Sequence, residues 1–389
     1  MNFPKLRLLL ATGLCVLAPL AADVAATPTS GDSNGSLQHE VDLALQRGAA
    51  FLRQAQAADG SWSNPQQPAI TGLALLALNP LRSPNEPELA AALGRGFAFV
   101  RAQAQPDGGI YRTGLSNYNT AVCTLALLRH GASEDAFLIE RARQFLVGQQ
   151  ASQITRPELD GGIGYGPSGV SPKRQHPDLD NTLVSLEALR ACELARQTGE
   201  KPTGPQLDWD AAIAFVTRCQ NLPSSNASSW VSEQPSDRGG FVYYPGFSNA
   251  GASDRPDGSK ALRSYGTMTY AGLLSLVYAE VPSDDPRVVS AVEWLSAHFT
   301  LEENPGLGEQ GLFYYYHLMA KALSISKAVH EKGTGAVPEG WARDLALKLV
   351  TLQSGDGSWV NRNGRWLEAD AVLVSAYCMR ALELIRERL

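Results

Sequence analysis

The sequence predicts an all-α protein, an α6/α6 toroid built from six helical hairpins. Three observations carry this. A unit of about 45–75 residues recurs six times, a spacing that marks a repeat architecture. Each unit holds two stretches of helical apolar periodicity joined by a glycine-aromatic loop. In the second stretches the apolar residues spread widely around the helix, Thr71 to Leu78 has almost no polar face, and a helix apolar all round must be buried on all sides.

The first unit reads Gly48-Ala-Ala-Phe51-Leu52-Arg-Gln54, then Asp59-Gly60-Ser61-Trp62, then Thr71 to Leu78. The second runs from Gly96 to Gln103, through Asp107-Gly108-Gly109-Ile110-Tyr111, to Thr120–Leu128. In the third, Ala142 to Leu146 and Gln149 precede Asp160-Gly161-Gly162-Ile163-Gly164-Tyr165, and a second helix starts near Asn181. The fourth places Ala214-Phe215-Val216 and Gln220 before Arg238-Gly239-Gly240-Phe241 and Tyr265–Leu276. The fifth has Val292 to Leu295, Gly306-Leu307-Gly308 and Leu312–Leu323. The sixth has Leu349 to Gln353, Asp356-Gly357-Ser358-Trp359 and Asp370–Leu384. The first helices carry the Arg, Gln and Glu, so they belong outside. The apolar second helices form an inner ring. An open superhelix is the alternative, but the inner helices have no polar concave face, which favours closure.

The loops have a structural reading. Glycine permits the positive φ that ends a helix and turns the chain. The aromatic stacks on the next hairpin, and the glutamine amide bonds exposed backbone there.

The chain has 389 residues, 44% hydrophobic and 19% charged, with a formal net charge of −6. That suffices for a large core and excludes disorder as the general state. With no basic block or basic helix face, nucleic acid is not expected as a partner. Residues 1–26 read as a signal peptide: Lys5 and Arg7, the apolar Leu8–Leu20, then small residues up to Val24-Ala25-Ala26. The expected location is exported, periplasmic or secreted, with no integral membrane span once the signal is removed. Residues 27–38 read as a flexible leader and 39–389 as the toroid. Cys123, Cys192, Cys219 and Cys378 have no metal-ligand spacing and read as buried thiols, with a Cys192–Cys219 bridge as an alternative. No metal and no cofactor is expected. The Ser224–Asp257 loop, rich in Ser, Gly and Pro, is either a lid or a disordered insertion.

The pattern resembles the QW-type repeat of the terpene cyclase and protein prenyltransferase superfamily. Gln54…Asp59-Gly60-Ser61-Trp62 and Gln353…Asp356-Gly357-Ser358-Trp359 are the strongest matches. The resemblance covers about residues 40–386. It implies an α6/α6 barrel with an apolar central cavity, whose chemistry sits at the N-terminal ends of the inner helices.

Three relatives differ at their reactive motifs. Asp178-Leu179-Asp180-Asn181-Thr182 resembles the D-x-D-D acid motif of squalene–hopene-type cyclases, with Asn181 in place of the last Asp. Clustered carboxyls cannot all ionise, so one keeps its proton and serves as an acid in a dry pocket. The competing role of Asp178 or Asp180 is to cap the inner helix that begins there. The Asp-x-Cys zinc ligands of protein prenyltransferases are missing at Arg263-Ser264-Tyr265, which leaves His317 without partners. Gly306-Leu307-Gly308-Glu309-Gln310 resembles the thioester motif of complement toroids, but Leu307 stands where the thiol belongs.

A closed barrel brings the inner-helix starts to one mouth. The candidate catalytic residues are Asp180 and Asp178. The candidate binding residues are Tyr118, Asn119, Tyr265, Glu309, Tyr314, Tyr315, His317, Glu368 and Asp370, with Thr71 alongside. Three functions fit them. The first is binding of an apolar, isoprenoid-like molecule, with Asp180 as the acid that starts a cyclisation. The second is a non-catalytic toroid that binds a protein, a peptide or an envelope component. The third is glycan processing by paired carboxylates such as Glu368 or Asp370 with Asp178.

Overall fold

The computed structural model describes residues 33–166, 176–196, 204–326 and 337–389. The expected signal peptide and residues 27–32 of the expected leader lie outside them. Among the described residues there are twelve α-helices, in six hairpins. These are α1 (Ser33–Ala55) with α2 (Pro68–Leu78), α3 (Pro87–Arg101) with α4 (Ser116–His130), and α5 (Ala136–Val147) with α6 (Leu179–Ala195). Then come α7 (Trp209–Arg218) with α8 (Gly266–Tyr278), α9 (Pro286–Ala297) with α10 (Leu312–Ile325), and α11 (Trp341–Leu352) with α12 (Ala371–Arg386). The first helix begins at Ser33, inside the stretch read as a flexible leader.

The even-numbered helices form a closed inner ring. α2 packs on α4, α4 on α6, α6 on α8, α8 on α10, α10 on α12, and α12 returns to α2. The first and last hairpins are neighbours: α1 packs against α11 and α12. Burial follows the predicted division. Every residue of α2 is buried, whereas α3 buries one stripe that includes Leu89, Leu93, Phe97 and Val100.

Two devices tie five of the six loops to their neighbours. The first is a hydroxyl on the inner helix that accepts a bond from the loop residue after the glycines. Trp62 N donates to Thr71 Oγ1 at 3.0 Å, Ile110 N to Thr120 Oγ1 at 2.9 Å, and Ile163 N to Thr182 Oγ1 at 2.9 Å. Phe241 N to Thr269 Oγ1 and Trp359 N to Ser375 Oγ repeat the bond. Thr71, expected near a mouth, is thus an internal fastener.

The second device is the glycine itself. At Gly60 φ is +88°, and a Cβ there would lie 2.4 Å from Arg95 O on the next outer helix. Gly357, with φ +89°, has the same relation to Arg47 O of the first repeat, so the last loop is seated on the first hairpin. Glutamine side chains span the same junctions. Gln353 Nε2 donates to Gly357 O and, across the seam, to Ala44 O, both at 2.9 Å. In the first unit the residue that does this is Gln56, bonding Gly60 O and Ala92 O, and in the third it is Gln150. The sequence reading picked Gln54 and Gln149. Gln54 is exposed, because the bridging amide must sit past the helix end and not on its last turn.

The four cysteines are free and buried, so no Cys192–Cys219 bridge is present. Cys192 packs within the inner helix α6 and Cys219 just past the outer helix α7. The Ser224–Asp257 segment is ordered and runs into a short hairpin of β1 (Ala252–Asp254) paired antiparallel to β2 (Lys260–Leu262). No described helix is long and apolar enough to cross a membrane.

Replacing Gly357 by Ala forces a Cβ into a left-handed backbone and into Arg47 O, at the seam where the ring closes. We expect a loss of about 1–3 kcal/mol in urea unfolding. Gly94, a helical glycine with open space around it, is the control: Gly94→Ala should gain up to about 1 kcal/mol. Equal effects at the two positions would contradict the seam.

Candidate functional site: a carboxyl pair and a central cavity

The inner helices run parallel around the ring, so all their N-terminal ends share one face. The start of α6 lies there and carries both aspartates. Asp178 is its N-cap: fully buried, it accepts from Asn181 N at 2.9 Å and from Asn181 Nδ2 at 2.8 Å. Asn181, where a carboxylate stands in the D-x-D-D motif, therefore neutralises nothing and instead donates to Asp178. Asp180, the second residue of the helix, is half-buried and accepts the Tyr314 hydroxyl at 2.6 Å. No partner to its other oxygen is found among the described residues.

Burial, and after it the charge of Asp180, pushes the Asp178 carboxyl up to about 8. Burial likewise raises Asp180, opposed by the Tyr314 hydrogen bond. Burial and the neighbouring Asp180 charge thus favour the protonated form of Asp178 at neutral pH. Tyrosines surround it. Tyr165 and Tyr243 share a 2.8 Å hydroxyl–hydroxyl bond, and Asn249 Nδ2 donates to the Tyr265 hydroxyl at 3.1 Å. Tyr243 comes from the Ser224–Asp257 segment, and its carbonyl accepts from Leu179 N at 2.8 Å. This segment is therefore packed over the aspartate end of the ring.

A cavity of about 100 Å³ runs along the axis from this end. It is mostly apolar, with Leu73, Val122, Leu183 and Leu318 among its walls. Tyr118, Tyr314 and Tyr377 line it at the aspartate end. Tyr118 and Tyr377 lie side by side there, and His317 stacks on Tyr377 at 5.4 Å. Burial, then Lys321 and Arg380, keeps His317 well below the usual imidazole range and so neutral. Asp180 does not itself line the cavity. Tyr314 does, so its hydroxyl is the group that the cavity and Asp180 share.

The other expected site residues divide. Tyr118 and His317 reach the cavity with Tyr314, and Tyr265 stands by the aspartates. Asn119 does not: its Oδ1 accepts from Ala69 N at 2.8 Å and its Nδ2 donates to Gly114 O, fastening the start of α2. Tyr315 points outward and donates to Thr300 O at 3.0 Å, because successive helical residues turn to different faces. Glu309 is exposed on its turn. Glu368 is buried and holds the start of α10, accepting from Tyr314 N at 2.7 Å and Asn361 Nδ2 at 2.6 Å. Asp370 caps α12, accepting from Val372 N at 2.9 Å. Asp178, Glu368 and Asp370 thus each hold a helix or loop start. No group of three or more metal-ligating side chains occurs among the described residues.

Sequence reading missed Tyr377, Glu187 and four basic residues, Arg129, Arg190, Lys321 and Arg380, all on the cavity wall. Their spacing was visible. Tyr314, His317 and Lys321 fall at i, i+3 and i+7, as do Tyr377, Arg380 and Leu384, so each set forms one helix stripe.

No family profile and no curated protein matches the chain. Solved structures do. The type II terpene cyclase MstE from Scytonema superposes with a TM-score of 0.53 at 14% identity, over 90% of this chain and 99% of that one. A variant of it in complex with geranylgeranyl dihydroxybenzoate, its substrate, gives 0.52 at 16% identity over 91% and 99%. The GH76A α-1,6-mannanase from Salegentibacter gives 0.53 at 13% identity, over 90% and 99%. The chain has the α/α-toroid fold of the type II terpene cyclases. The same fold serves a glycosidase, so it does not fix the reaction.

The carboxyl pair predicts a pH dependence of stability. Asp178 is raised in the folded state, so the folded chain binds more protons than the unfolded one between about 4 and 8. Stability therefore falls as pH rises through that window. Asparagine keeps the capping oxygen but has no proton to lose. We expect the urea midpoint of the unaltered protein to drop between pH 5 and 8 and that of Asp178→Asn to drop less. Parallel pH profiles would contradict the assignment.

Proposed function

We propose that the protein binds an apolar, isoprenoid-like molecule in its central cavity and starts its cyclisation by protonation from Asp180. The carrying observation is the proton-holding carboxyl pair joined through Tyr314 to an apolar, tyrosine-lined cavity. In this reading the π electrons of a ligand C=C form a new C–H bond with the Asp180 proton, leaving a carbocation. A second C=C attacks the cation to close a ring, and loss of a proton ends the sequence as a net isomerisation that returns the acid to its starting state. Tyr118, Tyr314 and Tyr377 present electron-rich faces that stabilise the cation on its way. The proton that Asp178 retains at neutral pH is the one that the pair delivers through Asp180. The substrate of the MstE cyclase, a geranylgeranyl chain on dihydroxybenzoate, supports this ligand class by analogy of fold. The signal-like start adds that the protein works outside the cytoplasm, in the periplasm or secreted.

One observation favours a second reading, a carrier that holds the ligand unchanged. Tyr314 stands between Asp180 and the cavity, so contact with the acid requires the tyrosine to relay the proton or to turn aside.

The test is incubation with squalene and with geranylgeranyl dihydroxybenzoate, followed by chromatography and mass spectrometry. We expect a product of unchanged mass and altered retention, reduced at least about 100-fold in Asp180→Asn, with Tyr314→Phe also impaired. Ligand retained without any conversion would leave the carrier. Conversion that Asp180→Asn leaves intact would contradict the acid.

A further inference from the structure

The loop that leads into α12 carries apolar side chains that the ring does not bury. Val360, Trp366 and Leu367 are 43%, 45% and 50% exposed there. Arg362 and Arg365 stand exposed between them. The Arg365 guanidinium lies over the Trp366 ring at 4.5 Å and donates to Gln310 Oε1 at 2.6 Å. Glu309 is exposed on the adjoining turn, yet neither arginine forms an ion pair with it or with any other carboxylate among the described residues. These two free cations belong to a chain whose net charge is −6.

The backbone of this loop is costly. Trp366, with φ +55°, and Leu367, with φ +67°, are both left-handed, a conformation that residues other than glycine and asparagine rarely adopt. Hydrogen bonds on both sides hold it in place. Asn361 N donates to Glu368 O at 2.9 Å and Asp370 N to Leu367 O at 2.8 Å, while the buried Glu368 carboxylate accepts from Asn361 Nδ2. The chain thus fixes two large apolar side chains in a strained turn and leaves them in water. Neither cost is recovered inside the molecule, and strain of this kind gathers at functional surfaces. The same end of the ring bears a second apolar tip. Phe247 is 43% exposed and stacks on Tyr244 at 5.2 Å, with Ile154 exposed and Arg156, itself paired with Glu158, over the Tyr244 ring.

We propose that residues 360–367 dock this end of the ring on an anionic bilayer surface. Trp366, an apolar body with one N–H, settles between the headgroups and the hydrocarbon. Leu367 and Val360 enter the hydrocarbon beside it, and Arg362 and Arg365 reach lipid phosphates. The unpaired charges select an anionic surface over a neutral apolar groove. The aliphatic side chains select a bilayer over a sugar chain, which would use the ring alone. No described helix crosses a membrane, so the contact is peripheral. It turns the aspartate end of the ring toward the lipid and does not depend on what the cavity holds.

The test is tryptophan fluorescence of the full chain mixed with vesicles of brominated phosphatidylcholine, with and without phosphatidylglycerol. Bromine quenches a ring that lies in the bilayer, and Trp366 is the one exposed tryptophan among the described residues. We expect quenching on the acidic vesicles, with partition at least about tenfold stronger than on the neutral ones and weakening as salt rises. Trp366→Phe should still co-sediment with the vesicles but lose the quenching. Leu367→Asn places a residue that accepts the left-handed backbone, so it should keep its thermal melt and bind about tenfold more weakly. Arg362→Gln combined with Arg365→Gln should bind acidic and neutral vesicles alike. Quenching that persists in Trp366→Phe, or vesicle binding of the unaltered chain without quenching, would overturn the docking loop. So would an absence of binding, and a dimer that Leu367→Asn dissociates would then show that a second copy covers the surface.

Discussion

The structure depends on the need of six apolar helices to be buried on every side. A helix such as α2, with each of its residues out of contact with water, cannot lie at the end of an open stack, because one flank would face solvent. Burying an apolar side chain contributes roughly 1.5–3 kcal/mol, so an unpaired flank of several leucines is a large cost. The ring removes the problem by making the first and last hairpins neighbours. Gly357 against Arg47 O and Gln353 reaching Ala44 O are the repeat's ordinary contacts, made across the chain ends.

Closure also sets the layout of the site. Because each inner helix follows an outer one, all six inner helices point the same way, and the two ends of the lumen differ in kind. One end gathers helix N-termini, their caps and the loops, including the Ser224–Asp257 segment over the aspartates. The other gathers C-termini and long basic side chains. Between them lies the cavity lined by Leu73, Val122, Leu183 and Leu318. A molecule held there meets an acid at one end, aromatic faces next to it, leucine and valine along the wall, and paired cations at the far end.

Much of the fold was legible because repeats report it redundantly. The Gly-aromatic loops, the all-round apolar helices and the outer amphipathic ones each appear several times, and a chance match would not recur. The site was legible only in part. Asp178, Asp180, Tyr118, Tyr314 and His317 were found because the toroid brings inner-helix starts together. The same rule swept in Asn119, Glu368 and Asp370, which sit at helix starts in order to satisfy free backbone amides there. Capping and catalysis ask for the same residue types at the same place, and only partner geometry separates them. Tyr315 was included by adjacency, although it turns to the opposite face from Tyr314. The basic residues escape the same rule, because Lys321 and Arg380 lie two to three turns into their helices and not at the beginnings. Their stripe spacing with His317 and Tyr377 was present in the sequence and needed a three-dimensional ring to give it meaning.

Amide hydrogen exchange read along the whole chain tests the central claim, ring closure, most directly. In a closed ring the terminal hairpins have as many neighbours as the middle ones, so α1, α2 and α12 should be protected as strongly as α6 and should open together with it. Protection that declines steadily from α6 toward both chain ends, as in a stack that frays, would contradict the account.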